Sequence, residues 1–293
     1  MISSDRHGII IGAVAIVVSQ AAQNAGASFG KHLFPIVGAE GVATLRIGLA
    51  ACVLLAVTRP WRRPIGRAQV IPTVLYGATM GGMSLLIYLA IARIPIGIAV
   101  AIEVTGPLMI VLLGSRRLLD FVWLIVAACG LLLLLPLDTS APLDMIGVLY
   151  AAGAAACWAL YVVFGRMVSG PLGSRAVAWG MCAATVFVAP VGIAHAGSSL
   201  FEPTILAAGL GVAILSSAVP YSLEMLAMGL PAKLVGIFLS AAPAIAALMG
   251  YLILGEELSW VQWAAIGCIV LASAGSAVTA QRPSSVPAEE SGR

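Results

Sequence analysis

Charge is scarce in this chain. Only 9% of its 293 residues are Asp, Glu, Lys or Arg, and 61% are apolar. A soluble domain carries about 25% charged residues, so water is excluded as the main solvent of this surface. Histidine is nearly missing. His7, His32 and His195 form no HExxH pair, which removes zinc-hydrolase chemistry. No G-x-x-x-x-G-K-[ST] stretch occurs, because Gly26-Ala-Ser-Phe-Gly30-Lys31 has too few residues between its glycines. An ATP site is therefore excluded, and neither a cofactor nor an enzyme activity is expected. The five cysteines (Cys52, Cys129, Cys157, Cys182, Cys268) show no CxxC spacing, and all fall in apolar stretches. They read as small packing residues rather than a disulfide frame or a metal site.

What remains is hydrophobic sequence, almost end to end. Between Gly8 and Ala280 there is no room for a soluble domain. A helix needs about 20 residues to span the hydrocarbon core. The spans are expected at 9–29, 42–58, 70–92, 96–113, 121–137, 146–164, 176–194, 203–227, 234–254 and 258–280. Spans 2, 4 and 5 are short for a crossing helix. The first span is too long for the apolar region of a signal peptide, and its loss would break a five-plus-five pattern, so it is read as retained.

The two halves resemble each other. Ile94-Pro-Ile-Gly with Gly106-Pro107 is matched by Leu230-Pro-Ala-Lys with Ala242-Pro243. Gly12 with Phe29-Gly-Lys31 matches Gly147 with Phe164-Gly-Arg166, and Gly114 and Trp123 match Gly250 and Trp260 with one residue of slippage. Five spans per repeat require the second repeat to be inserted upside down. The expected fold is therefore an all-α integral membrane protein of ten transmembrane helices, built as two inverted five-helix repeats. The repeats cover residues 9–137 and 144–280, and a Pro/Ser/Glu-rich tail, 281–293, reads as disordered and cytoplasmic.

Basic residues set the orientation. With the N-terminus inside, twelve lie on the cytoplasmic side (Arg6, Arg59, Arg62, Arg63, Arg67, Arg116, Arg117, Arg166, Arg175, Lys233, Arg282, Arg293), and only Lys31 and Arg93 lie outside. The positive-inside rule then puts both termini in the cytoplasm. The basic 59–67 loop reads as this determinant, touching lipid headgroups, and not as a nucleic-acid site.

Arg46, Glu103 and Glu224 are charges within spans. Such charges are costly in a bilayer and face a cavity or a partner. Glu103 is expected about eight residues below the outer end of span 4, roughly 12 Å deep at 1.5 Å per residue. Arg46 is expected at comparable depth. The pair suits substrate or proton binding, and equally suits an ion pair tying two helices together. Glu224 with Lys233 suits a cytoplasmic gate or, more simply, a snorkelling interfacial pair. Tyr76, Met80, Ser84 and Tyr88 recur every four residues and so share one helix face. Span 1 carries Gln20, Gln23, Asn24 and Ser28, and span 6 carries Trp158 and Tyr161. Each has a simpler role as interhelical glue or interfacial anchor. Together they suit the lining of a wet, partly aromatic cavity.

At these residues a family resemblance becomes visible. Ten spans, two five-helix repeats and the stretch Gly97-Ile-Ala-Val-Ala-Ile-Glu-Val-Thr-Gly-Pro-Leu108 resemble the EamA-type carriers of the drug/metabolite transporter superfamily. Further stretches, among them Lys31-His-Leu-Phe-Pro-Ile-Val-Gly-Ala, Gly114-Ser-Arg-Arg-Leu-Leu-Asp-Phe-Val-Trp and Ala213-Ile-Leu-Ser-Ser-Ala-Val-Pro-Tyr-Ser-Leu-Glu-Met, are similar to bacterial inner-membrane amino-acid exporters within that superfamily. The resemblance covers residues 10–280. It implies secondary active export of small amino acids of the threonine/homoserine type, by proton antiport. Another metabolite or a drug is the alternative cargo, and a non-transporting membrane scaffold or sensor is the alternative of a different class. The implied partners are the amino acid, a proton and the lipid bilayer, without nucleic acid. The oligomeric state stays open, a homodimer included.

Overall fold

The computed structural model describes residues 6–62, 65–113, 118–134, 144–173, 175–220, 223 and 239–279. Every regular element among them is helical. In chain order these are α1 (Arg6–Lys31), α2 (Phe34–Thr58), α3 (Arg67–Ile91), α4 (Ile96–Leu113), α5 (Leu118–Leu134), α6 (Met145–Leu172), α7 (Arg175–Ala196), α8 (Pro203–Ala213), α9 (Ala242–Met249) and α10 (Trp260–Thr279). Wider π turns continue α8 over Ile214–Ala218 and α9 over Gly250–Leu254. The segments Phe34–Thr58, Arg67–Ile91, Met145–Val168 and Arg175–Phe201 are long and apolar enough to cross a membrane. The expected tail 281–293 and most of 221–238, with the ends of spans 8 and 9, lie outside the described residues.

One expectation needs correction. Span 2 is not short: α2 begins at Phe34 and has 25 residues. The expected 42–58 is only the part beyond a break at Gly38, where φ is 70° and ψ is 171°. Only glycine enters that region without strain. A side chain there would also meet His195, whose Cδ2 lies 2.6 Å from the place of an added Cβ. The break was hidden from hydropathy because both sides of it are apolar.

The helices pack through small residues. α2 packs on α7, α3 on α6 and α7, α4 on α6 and α9, and α5 on α10, while α1 lies against α8, its π turn and α9. Without a hydrophobic drive between helices in lipid, close backbone approach supplies the attraction. At Gly97 an added Cβ would stand 2.5 Å from the Ala247 Cβ, so the α4–α9 crossing depends on its absence. The outside of the bundle is apolar. Ile71, Leu149, Val186, Leu252 and Leu271 are all exposed, an arrangement suited to lipid and costly in water.

The two ends of the bundle differ in charge. One end gathers the α1–α2, α3–α4 and α9–α10 connections, the start of α6 and the end of α7. It holds the ion pairs Lys31–Glu256 (2.6 Å), Arg93–Asp144 (2.8 Å) and Glu40–His195 (3.7 Å, charged when the histidine is protonated). The opposite end carries Arg59, Arg62, Arg67 and Arg175 at the ends and starts of α2, α3 and α7. Trp61 stands exposed near the basic end and Trp260 near the other, where aromatic anchors of a membrane protein belong.

Candidate functional site

A cavity of about 420 Å³ lies among α1, α2, α3, α4, α6, α8 and α9. That is within the ~300–1,000 Å³ of small-molecule sites. Its walls are mostly apolar, with a few polar groups converging on it.

Arg46 and Glu103 both line it. Glu103 sits seven residues beyond Ile96, where α4 starts, and is 8% exposed. Arg46 lies in the continuous part of α2 beyond the Gly38 break. The two are not ion-paired with each other: no such pair is among the ion pairs of the described residues. Both side chains nevertheless face the same cavity from α2 and α4. Instead, Arg46 Nη2 donates to the Ser216 carbonyl at 3.3 Å, and its guanidinium lies 5.6 Å from the Tyr88 ring centroid. Cation–π contact of this kind holds a guanidinium in place without cancelling its charge.

The π turn in α8 explains the Ser216 contact. Widening the helix by one residue disturbs the i→i−4 ladder and leaves carbonyls seeking other donors. Gly26 of α1 makes room for the turn, since an added Cβ would meet Ser216 N at 2.9 Å. Ser19 ties α1 to the same helix by donating to the Pro220 carbonyl at 3.3 Å.

The face read from α3 is a buried face. Tyr76, Met80, Ser84 and Tyr88 are each 4% exposed or less. Met80 and Tyr88 reach the cavity. Tyr88 is fully buried, and its hydroxyl has no hydrogen-bond partner, although Arg46 and Ser216 face it. Tyr76 stands behind the lining, stacked on Tyr161 at 4.9 Å between ring centroids, with the hydroxyls 3.2 Å apart. Ser84 is buried on this face without lining the cavity, and its Oγ has no hydrogen-bond partner. From α1, Gln20, Gln23 and Asn24 line the cavity, and from α6 Trp158 and Tyr161 do so. The Asn24 amide donates to Gln20 O within its own helix at 2.8 Å, so this bond is not interhelical. Glu224 lies outside the described residues.

Gln20, expected with the polar cluster of α1, belongs to the lining, as do Ser216 and Pro220. The signal for Ser216 and Pro220 in the sequence is the repeat: Tyr76 through Pro95 matches Val212 through Pro231, which sets Ser216 against Met80 and Pro220 against Ser84.

Known proteins agree with this architecture. A model of the EamA-like transporter family matches residues 145–278. The threonine/homoserine exporter RhtA of Escherichia coli (strain K12) is 43% identical over 275 residues, 93% of each chain. The threonine/homoserine exporter RhtA of Salmonella typhimurium (strain SL1344) is 43% identical over 269 residues, 91% of each chain. The chain belongs to the EamA-like transporter family. A protein of known crystal structure has the same fold, with a TM-score of 0.57 at 22% identity over 98% of this chain and 99% of that one. This EamA-like protein is thus a multi-pass membrane transporter and not an enzyme. In such a protein the cavity is where the cargo is expected to sit.

Proposed function

We propose that the protein exports small amino acids of the threonine/homoserine type across the bacterial inner membrane, driven by protons entering in exchange. One observation carries the reading: Arg46 and Glu103 line the same cavity without forming an ion pair with each other. A zwitterion needs one fixed charge of each sign, because both of its ends lose water on binding. Arg46 takes the carboxylate, and Glu103 takes the ammonium. Tyr88 and Ser216, facing Arg46, receive the remaining polar atoms, and a threonine hydroxyl is one of them. Trp158, Tyr161 and Met80 form the apolar walls, while Gln23 and Asn24 keep the α1 side wet. The two exporters named above, at 43% identity over nine-tenths of the chain, support the cargo class.

Protonation of Glu103 would release the ammonium, and loss of the proton would capture the next one. A single carboxylate that holds either a proton or the cargo gives antiport.

The same reading has ten spans in two inverted repeats. The helix contacts support it: exchanging α1–α5 with α6–α10 turns α3·α6 into α8·α1 and α4·α6 into α9·α1, all of which pack together. It turns α2·α7, α4·α9 and α5·α10 into themselves. The end with the three ion pairs then faces outward and the arginine-rich end faces the cytoplasm, as the positive-inside rule requires.

The test is efflux of a labelled amino-acid panel from cells with and without the protein. Overexpression should raise tolerance to threonine and homoserine and lower their retention. An unchanged panel at verified membrane expression would remove the cargo assignment.

A further inference from the structure

We infer that Lys31 and Glu256 form the latch that closes the outward end of the cavity, and that transport requires this ion pair to open. The inference rests on the transporter reading above and adds the gate to it.

Glu256 is placed by a sharp reversal. Gly255 ends the α9 π turn with φ 65°, a conformation that favours glycine. The Glu256 backbone then donates to Gly250 O at 3.2 Å. Its carboxylate reaches two separate elements of the first half. Oε1 accepts from Lys31 Nζ at 2.6 Å at the end of α1, and Oε2 accepts from Ile96 N at 2.9 Å at the start of α4. One side chain of the second half thereby straps two helices of the first. Gly250 is needed for the fit, since an added Cβ would meet both Glu256 Oε2 and Ile96 Cγ2 at 2.6 Å.

Directly beneath this strap lies the roof of the cavity. Ile91 and Ile96 line it and are each 1% exposed, so this end is shut. A cargo leaving through it must part α1 and α4 from the α9–α10 connection, and the strap joins those three elements. An ion pair suits a latch because it is strong when shielded and is exchanged for water contacts when exposed, at modest net cost. The repeat gives the other end the same signs: Arg166 stands where Lys31 does, and Asp120 follows Gly114 by six residues as Glu256 follows Gly250.

The test reads the closed end without measuring transport. In a background with the native cysteines replaced, Ala27→Cys reports from the cavity wall one turn below Lys31. Intact cells are treated with a membrane-impermeant maleimide. Glu256→Gln and Lys31→Met should each raise the labelling rate roughly threefold or more, about the scale of a partly buried ion pair. The double variant should add little to either single one, because both remove the same interaction. Asp120→Asn, at the opposite end, should leave the rate unchanged or lower. Unchanged labelling in both single variants would overturn the latch, as would an equal rise with Asp120→Asn, which indicates general loosening. A raised rate in a protein that moves neither threonine nor homoserine would uphold the latch and reject the cargo.

Discussion

Glu103 and Arg46 differ in what they can tolerate. Glu103→Gln keeps shape and hydrogen bonding and removes titration, so insertion should be normal, proton-driven export should be lost and amino-acid exchange should persist. The check is export rate against pH, and a wild-type pH profile in the variant would refute the coupling role. Arg46→Gln should instead weaken binding of every amino acid and leave the Ser216 carbonyl unpaired, lowering export at least about tenfold, the scale of one charge-assisted bond. Asp144 belongs to a different class. The Arg93 hydrogen bond, with the Ile146 N–H as second donor, holds its carboxyl below the usual range. A depressed carboxyl contributes stability above its unfolded pKa and loses it as pH falls through the folded one. The melting temperatures of wild type and Arg93→Gln should therefore differ slightly at neutral pH and converge in acid. Much of the cavity was legible residue by residue: four-residue spacing exposed the Tyr76–Tyr88 face, and intramembrane charge exposed Arg46 and Glu103. Glu256 was not legible as a bonding residue, because its partners Lys31 and Ile96 N are distant in sequence and close only in the fold.

Small elements decide how the helices meet. Hydropathy marked the apolar helices, of which Phe34–Thr58, Arg67–Ile91, Met145–Val168 and Arg175–Phe201 are long and apolar enough to cross a membrane. It could not place the Gly38 break or the π turn at 214–218, whose residues are as apolar as their neighbours. Both matter, because one breaks α2 at Gly38, ahead of Arg46, and the other supplies the carbonyl that Arg46 binds. The α4–α9 crossing at Gly97 is one contact of this kind, with an added Cβ 2.5 Å from the Ala247 Cβ. Gly97→Leu should force the two helices apart and destabilise by about 1–3 kcal/mol, the usual cost of overpacking. Thermal unfolding of purified protein in detergent would show the loss, and an unchanged midpoint would mean that α4 and α9 do not approach this closely.

At the scale of the whole molecule, the protein is a bundle with a basic end, an ion-paired end and, between them, a cavity lined by Arg46 and Glu103. Orientation is checked first: cysteines introduced in the 138–144 loop should react with an external reagent, and those in the 59–67 loop should not. The reverse pattern would turn the protein over and put the Lys31–Glu256 latch on the cytoplasmic side. Two helical halves of similar pattern were visible in the sequence through Phe29-Gly-Lys31 and Phe164-Gly-Arg166. How they interlock was not, because pairings such as α2 on α7 join segments with no local signal for each other. The most direct measurement of the central claim uses purified protein in liposomes, labelled threonine and an imposed pH gradient. Wild-type protein should move threonine and homoserine in response to the gradient, and Glu103→Gln should give gradient-independent exchange alone. Absence of threonine movement by correctly inserted wild-type protein, or equal gradient-driven movement by the variant, would contradict it.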